Sequence, residues 1–445
     1  MDLALGLRAR PGKALSLVGA GGKSAAIFRM GQELKAVAPV LITTTTKLAI
    51  SQTELADRHL ILRRSEDLRG ILDALTSGER LLVTGGPAGD EPKWVAPERN
   101  LLWEMLALAK SAGAVILVEA DGARGRSLKA PAAHEPQIPA VSDLVVPVAG
   151  LGALGRPLSE EAVHRPERVR ELTGLETGEL IQPETFVRLL TSTHGALKGI
   201  PSTAEVRILV NQADTPALEG QAQEIASRVL RERRVRAVAI AALADQEPLK
   251  RLQGRVGGVV LAAGGSSRLG RVKQLVRWQG RPLVWHAVQA AMQGGCDRVC
   301  VVLGANGQAI KESLVGEAVR FVQNPEWESG LSSSIRVGLA ELAAEVEAIL
   351  FLLADMPLVG APLVGALIEA HATSLAPIVA TRVDAQLVNP ALFDRATFDA
   401  LSGLQGDAGG RQLFGRFACR AVEGDAEVLF DVDTPEDLAR LEELG

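Results

Sequence analysis

The sequence predicts an α/β protein of two domains. Short β-rich runs alternate with amphipathic stretches along the whole chain, the pattern of strands joined through crossover helices into mostly parallel sheets. The alternation falls into two series, each opening with a strand that runs into a glycine loop. Finally, 445 residues are more than one core holds at roughly 100–200 residues per domain.

In the first series the candidate strands are Ala14–Val18, Val40–Thr45, Arg80–Gly85, Ala114–Asp121, Leu144–Ala149, Val206–Asn211 and Arg236–Ala241. Helical patterns such as Pro97–Ala112 lie between them. Pro97 opens that pattern and Gly113 follows it, which suits a residue without an N–H and one that tolerates positive φ. The polar run Asp245–Arg255 then interrupts the apolar periodicity. It places one domain over residues 1–245, a linker over 246–255 and a second domain over 256–445. In the second series the candidates are Val256–Ala263, Arg298–Gly304, Ala318–Val322, Ala348–Asp355 and Ile378–Arg382, closing with Val428–Asp433 and a helix from Thr434. Thr434 is the expected N-cap, Pro435 the first helical position, and Glu436 and Asp437 face the positive end of the dipole.

Bulk properties narrow the function. An apolar share of 47% and mixed charges fit a globular chain, and a net charge of -5 lacks the basic excess that nucleic-acid binding exploits. Cys296, Cys300 and Cys419 cannot all pair and form no CxxC, so a reducing cytoplasm is the expected setting. The first residues carry no apolar h-region, and no apolar run approaches the ~18 residues of a membrane span. Neither export nor membrane insertion is expected.

The strand Val256–Ala263 runs into Gly264-Gly265-Ser266-Ser267-Arg268-Leu269-Gly270, with Lys273 just beyond. Glycines at the carboxyl end of a first strand let backbone N–H groups close on phosphate oxygens, and Arg268 and Lys273 add charge that neutralises them. A tight turn with solvated basic side chains is the bland alternative. The strand Ala348–Ala354 ends in Asp355, placed as a magnesium ligand on the same edge, with Asp433 or Asp431 as the second carboxylate. Capping and turn roles compete for both positions. Ser332, Ser333 and Ser334 open a helix, where serines cap or hold a ribose, base or phosphate oxygen. His286 and His371 fall in helical patterns and are read as packing or surface residues.

Together, LAAGGSSRLGRVKQL, NPEWESGLSSSIRVGL, LLADMP and FDVDTPEDL resemble the molybdenum cofactor cytidylyltransferase family over about the last 190 residues. The resemblance implies a Rossmann-like nucleotidyltransferase domain that converts CTP and molybdopterin cofactor to the cytosine dinucleotide and pyrophosphate with Mg2+. It implies that Leu261, Ala262, Ala263, Gly264 and Gly265, with Ser267 and Ser332–Ser334, contact the nucleotide. Arg268 and Lys273 then meet the phosphates, and Asp355 the metal. Ala263 matches the cytidylyl branch, where the guanylyl branch has glycine. The family's Gly-His-Pro segment reads Val388-Asn389-Pro390 here, a departure that bears on the acceptor. Asn389, Asp407 and Arg411 are the implied acceptor contacts. Transfer of this kind needs an acceptor phosphate oxygen in line with the α-phosphorus, so positioning and neutralisation do most of the work.

The first series opens with Gly19-Ala20-Gly21-Gly22-Lys23-Ser24, a P-loop-like ending with Leu17 where the full spacing has glycine. The amides of Gly19, Gly21 and Gly22 with Lys23 are expected to cradle phosphates, and Ser24 to ligate magnesium. Glu119 and Asp121 end another strand nearby in the expected sheet. These residues, with Thr43–Lys47, the run Lys129–Pro136, His164-Arg165-Pro166 and Asn211-Gln212-Ala213-Asp214, resemble the YqeC family over most of residues 10–245. That family is an accessory of selenium-dependent molybdenum hydroxylases. Asn211–Asp214 also resembles the base-reading Asn-Lys-x-Asp of GTPases, with Gln for Lys, and ordinary turn chemistry accounts for it equally.

The expectation is therefore an N-terminal P-loop-like domain that binds ATP or GTP, fused to a cytidylyltransferase that serves a molybdenum hydroxylase as recipient. The alternatives are transfer to a sugar or polyol phosphate and a non-catalytic cofactor carrier or insertion chaperone.

Overall fold

Strands buried on both faces must be apolar throughout, and the first series has that composition: Val40–Thr44, Val115–Glu119 and Leu144–Gly150 are buried along their whole length. In the computed structural model, which describes residues 1–265 and 271–443, the chain divides into two compact units, Met1–Gln253 and Gly254–Gly445.

The first unit contains β1 (Ala14–Gly19), β2 (Val40–Thr44), β3 (Arg58–Ile61), β4 (Arg80–Thr84), β5 (Val115–Glu119), β6 (Leu144–Gly150), β7 (Glu205–Asn211), β8 (Val235–Ala241) and β9 (Leu249–Gly254). They form one sheet in the order β9-β8-β7-β6-β1-β5-β2-β4-β3. From β3 through to β8 every pair of neighbours is parallel. One core packs the helices Pro166–Thr173, Pro183–Thr191 and Pro216–Val229 against the sheet, and another packs Asp67–Leu75 and Arg99–Ser111.

The second unit contains β10 (Val256–Ala262), β11 (Arg298–Leu303), β12 (Arg320–Gln323), β13 (Ala348–Leu353), β14 (Ile378–Val383), β15 (Gln386–Asp394) and β16 (Cys419–Glu423), in the order β12-β11-β10-β13-β15-β14-β16. β10 to β13 are parallel, and β15 runs antiparallel to both its neighbours. The helices Leu283–Gln293 and Ala361–Ser374 contribute to one core and Leu331–Leu342 to the other. Both units are thus α/β with parallel sheets. Among the described residues no helix is long and apolar enough to cross a membrane.

Two expectations need correction. The stretch 246–255 contains β9, hydrogen-bonded at the sheet edge beside β8, with Leu249 and Leu252 buried. Its polar look is that of an edge strand, whose charged residues discourage pairing with another chain. Val428–Asp433 is no strand: Ala426–Leu429 is a 3-10 turn, and the strand beside β14 is Cys419–Glu423. The apolar run Val428–Phe430 and the alternation of Phe430 and Val432 with Asp431 and Asp433 imitate a strand, but Val428 and Val432 are buried in separate cores. The closing helix Pro435–Glu443 does begin as expected, with Thr434 Oγ1 accepting from the Asp437 amide at 3.2 Å and Asp437 accepting from the Thr434 amide at 2.9 Å.

Candidate functional site

In the second unit the chain turns from one side of β10 to the other, so the crevice at the carboxyl ends of β10, β11 and β13 is where such a sheet takes ligands. A cavity of about 440 Å³ lies there. Leu261, Ala263, Gly264 and Gly265 line it from the end of β10, and Asp355 from just past β13. Lys273, Gln274, Trp327, Ser334, Asp407 and Asp433 complete much of the wall.

Lys273 Nζ bridges two carboxylates, Asp355 at 2.5 Å and Asp433. Burial works against its charge, but both carboxylates outweigh burial and hold the ammonium above the ordinary lysine range. Partial burial and the charges of Asp433 and Asp355 push the Asp431 carboxyl up. The buried Oδ1 of Asp355 has no hydrogen-bond partner among the described residues. An orphaned carboxylate oxygen beside a second carboxylate suits a hard cation, since magnesium takes one or two carboxylates together with substrate phosphates.

Other expected contacts fall elsewhere. Ala262 is buried in the sheet. Ser333 and Ser334 accept from buried Asn324 Nδ2 at 2.8 and 3.0 Å and so tie the helix Leu331–Leu342 inward, while Ser332 accepts from Arg336 of the same helix at 3.2 Å; only Ser334 of the three lines the cavity. Asn389 lies within β15, and Arg411 is exposed on the turn Gly410–Leu413; neither lines the cavity. Ser267 and Arg268 lie outside the described residues. Trp327 was not singled out from the sequence, although a Cβ on Gly265 would stand only 3.0 Å from its ring. Its place in the segment NPEWESGLSSSIRVGL, one of the four that carry the resemblance, is the signal for it.

In the first unit the loop after β1 opens the helix Lys23–Leu34 at a cavity of about 820 Å³, lined by Gly21, Gly22, Lys23, Ser24 and Glu119 among others. The Gly19 amide donates to both oxygens of Asp121, at 3.1 and 3.0 Å, and Lys23 Nζ lies 2.7 Å from the Gly19 carbonyl and 3.2 Å from Asp121. Gly19 is thus engaged within the protein and does not line the cavity. Ser24 Oγ donates to Glu119 at 2.7 Å. Burial pushes the Glu119 carboxyl up despite Lys23 and Ser24.

Asn211 is spent inside the protein. Its Nδ2 donates to the Gly21 carbonyl at 2.7 Å and its Oδ1 accepts from the Leu243 amide at 3.0 Å. The likeness to a base-reading motif therefore reflects an asparagine that pins the glycine loop.

Behind Lys23, the buried Lys129 pairs with Asp121 at 2.9 Å and Glu135 at 2.8 Å, and Arg165 reaches Glu135 at 2.8 Å. Burial opposes the Glu135 charge, but Arg165 and Lys129 prevail and hold its carboxyl at about 2. His164 is held at about 4 by burial and by the charges of Arg165, Lys129 and Arg124.

Residues 15–167 match the family described as YqeC protein, and residues 258–422 match the MobA-like NTP transferase domain. Nicotine blue oxidoreductase of Paenarthrobacter nicotinovorans is 36% identical over 197 residues, 42% of this chain and 96% of that protein. Uncharacterized protein YqeC of Escherichia coli strain K12 is 35% identical over 201 residues, 44% of this chain and 74% of that protein. The solved structure of Rv0371c in complex with manganese, from Mycobacterium tuberculosis H37Rv, is 29% identical with a TM-score of 0.38, covering 42% of this chain and 98% of that one.

Proposed function

The chain belongs to the YqeC family through its first unit, and residues 258–422 of its second match the MobA-like NTP transferase domain; from that premise we propose that it transfers CMP from CTP to the phosphate of molybdopterin cofactor, releasing pyrophosphate. One observation carries the reading: Lys273, Asp355 and Asp433 meet beside the glycine loop at the carboxyl edge of β10. In that arrangement Gly264 and Gly265 present backbone to the nucleotide and Lys273 neutralises its phosphates, a task for which the sequence also offers Arg268. Asp355 and Asp433 would hold Mg2+, which supplies further charge neutralisation on the phosphates when bound. The acceptor phosphate oxygen attacks the α-phosphorus and pyrophosphate leaves, so the chain's task is to align two anions rather than to provide a nucleophile. Ala263 supports the cytidylyl branch. Asp407 on the cavity wall is the acceptor-side contact best supported by position.

The first unit binds ATP or GTP in this reading, through Gly21, Gly22, Lys23 and Ser24 on the wall of its cavity. It assists maturation of a molybdenum hydroxylase in the cytoplasm. Pyrophosphate release across the four nucleoside triphosphates, with and without molybdopterin, tests the proposal. Release only with CTP and molybdopterin together is expected, and a guanine dinucleotide as main product overturns the branch.

The relative named nicotine blue oxidoreductase favours a second reading, a redox reaction. Consumption of a reduced nicotinamide nucleotide by the full chain, with no pyrophosphate released from any triphosphate, would establish it in place of transfer.

A further inference from the structure

One wall of the first unit's cavity takes no part in the glycine loop. Arg124 (φ 50) and Arg126 flank Gly125 (φ 74) on the loop after β5, and both line the 820 Å³ cavity. The other cations there are partnered: Lys47 and Lys93 with Glu91, Arg165 with Glu135, Lys23 with Asp121. Arg126 Nε donates to the Glu160 carbonyl at 2.6 Å, and among the described residues neither Arg124 nor Arg126 has a carboxylate partner. His164 and Arg165 join these two arginines in lining a second cavity of about 280 Å³, whose acids are Glu160 and Glu167.

Two guanidinium forks beside an imidazole form a donor set with unmet positive charge, and planar forks match phosphate oxygens bidentately. The larger cavity stands near the upper end of the range of about 300–1,000 Å³ for small-molecule sites, which leaves room beyond the glycine loop. We propose that Arg124, Arg126 and His164 form a second anion subsite in the first unit, which takes the phosphate monoester group of a ligand separate from any on the glycine loop. Burial and then the charges of Arg165, Lys129 and Arg124 lower the His164 proton affinity, and an anion at this wall would offset the part due to those charges. This subsite does not depend on what the glycine loop binds or on transfer in the second unit.

Imidazole NMR of the full chain tests it, with the His164 signal among six histidines identified by its loss in His164→Gln. Titration with inorganic phosphate, and separately with glycerol 3-phosphate, should move that signal saturably. The Arg124→Gln/Arg126→Gln double variant should bind both probes at least tenfold more weakly while its other histidine signals stay in place. If those signals move, the single variants Arg124→Gln and Arg126→Gln carry the test, each with weaker binding expected. A His164 signal that ignores both probes, or that titrates in folded variants as in the wild type, overturns the subsite. Response to inorganic phosphate alone overturns the monoester assignment.

Discussion

Asp355 and Lys273 show how a single charge acts in the second unit. Asp355→Asn keeps the shape of the side chain and removes the charge facing Lys273, so CMP transfer should fall by on the order of 100-fold or more with the fold intact. Steady-state pyrophosphate release checks this, and a near wild-type rate removes Asp355 from the site. Lys273→Ala should cost on the order of tenfold or more in kcat/KM through lost neutralisation of phosphate. In the first unit, His164 falls from its ordinary 6.5 to about 4 in the folded protein. The unfolded chain therefore binds the proton first, and stability drops as pH falls from about 6.5 toward 4. Glu135, held at about 2 against an ordinary 4.5, adds a loss below that window, fully felt only near its folded value. Urea unfolding should show less loss between pH 7 and pH 5 in His164→Gln than in the wild type, and equal losses would refute the His164 contribution. The structure brings together Lys273, Asp355 and Asp433, and the sequence singled them out by different signals: Asp355 ends an apolar strand, Lys273 follows a glycine loop, and Asp433 precedes a capped helix. Ser332 and Ser333 misled, because a motif does not say which way a hydroxyl points on a helix, and here buried Asn324 draws Ser333 inward.

At the scale of elements, the two glycine loops were legible because each follows a run of apolar residues, yet the reason for glycine differs from position to position. At Gly21 (φ 89) a Cβ would stand 2.3 Å from the Gly150 amide nitrogen and 2.6 Å from the Ser127 carbonyl oxygen, backbone atoms that cannot swing away. Gly12 (φ 71) meets nothing within 4 Å. Gly12→Ala should therefore cost only the left-handed strain of about 1–2 kcal/mol, whereas Gly21→Ala should add overpacking of about 1–3 kcal/mol or more. Comparative urea unfolding measures the difference, and equal costs would mean that the loop accommodates a side chain at Gly21. Of the four edge strands, β12 was found and β3, β9 and β16 were not, and the antiparallel β15 inside the second sheet was missed as well. β3 and β9 carry Arg58, Lys250 and Arg251, and charge at an edge hides a strand from any reading based on apolar runs.

The whole chain joins two sheets, each with its own cores, and the position of the cut decides what a fragment keeps. Asp245, where the polar run begins, is the boundary that sequence suggests. A fragment ending there loses β9, including Leu249 and Leu252, which are 2% and 3% exposed. Leu249 packs against Gly6, and its amide donates to the Met1 carbonyl at 3.3 Å, so β9 also holds the first residues of the unit. Burying a leucine contributes about 1.5–3 kcal/mol, so residues 1–245 should be less stable than 1–254 by several kcal/mol and should expose the edge of β8. Thermal unfolding of the two fragments measures this, and matching midpoints would show β9 to be dispensable. Residues 255–445 contain Lys273, Asp355, Asp433 and the whole seven-stranded sheet, so this fragment should fold alone and retain CMP transfer. The result that would defeat this division is a soluble, monodisperse 255–445 fragment that binds CTP but releases pyrophosphate only after residues 1–254 are added back. Catalytic groups would then have to come from the first unit, and the second could not be the transferase by itself.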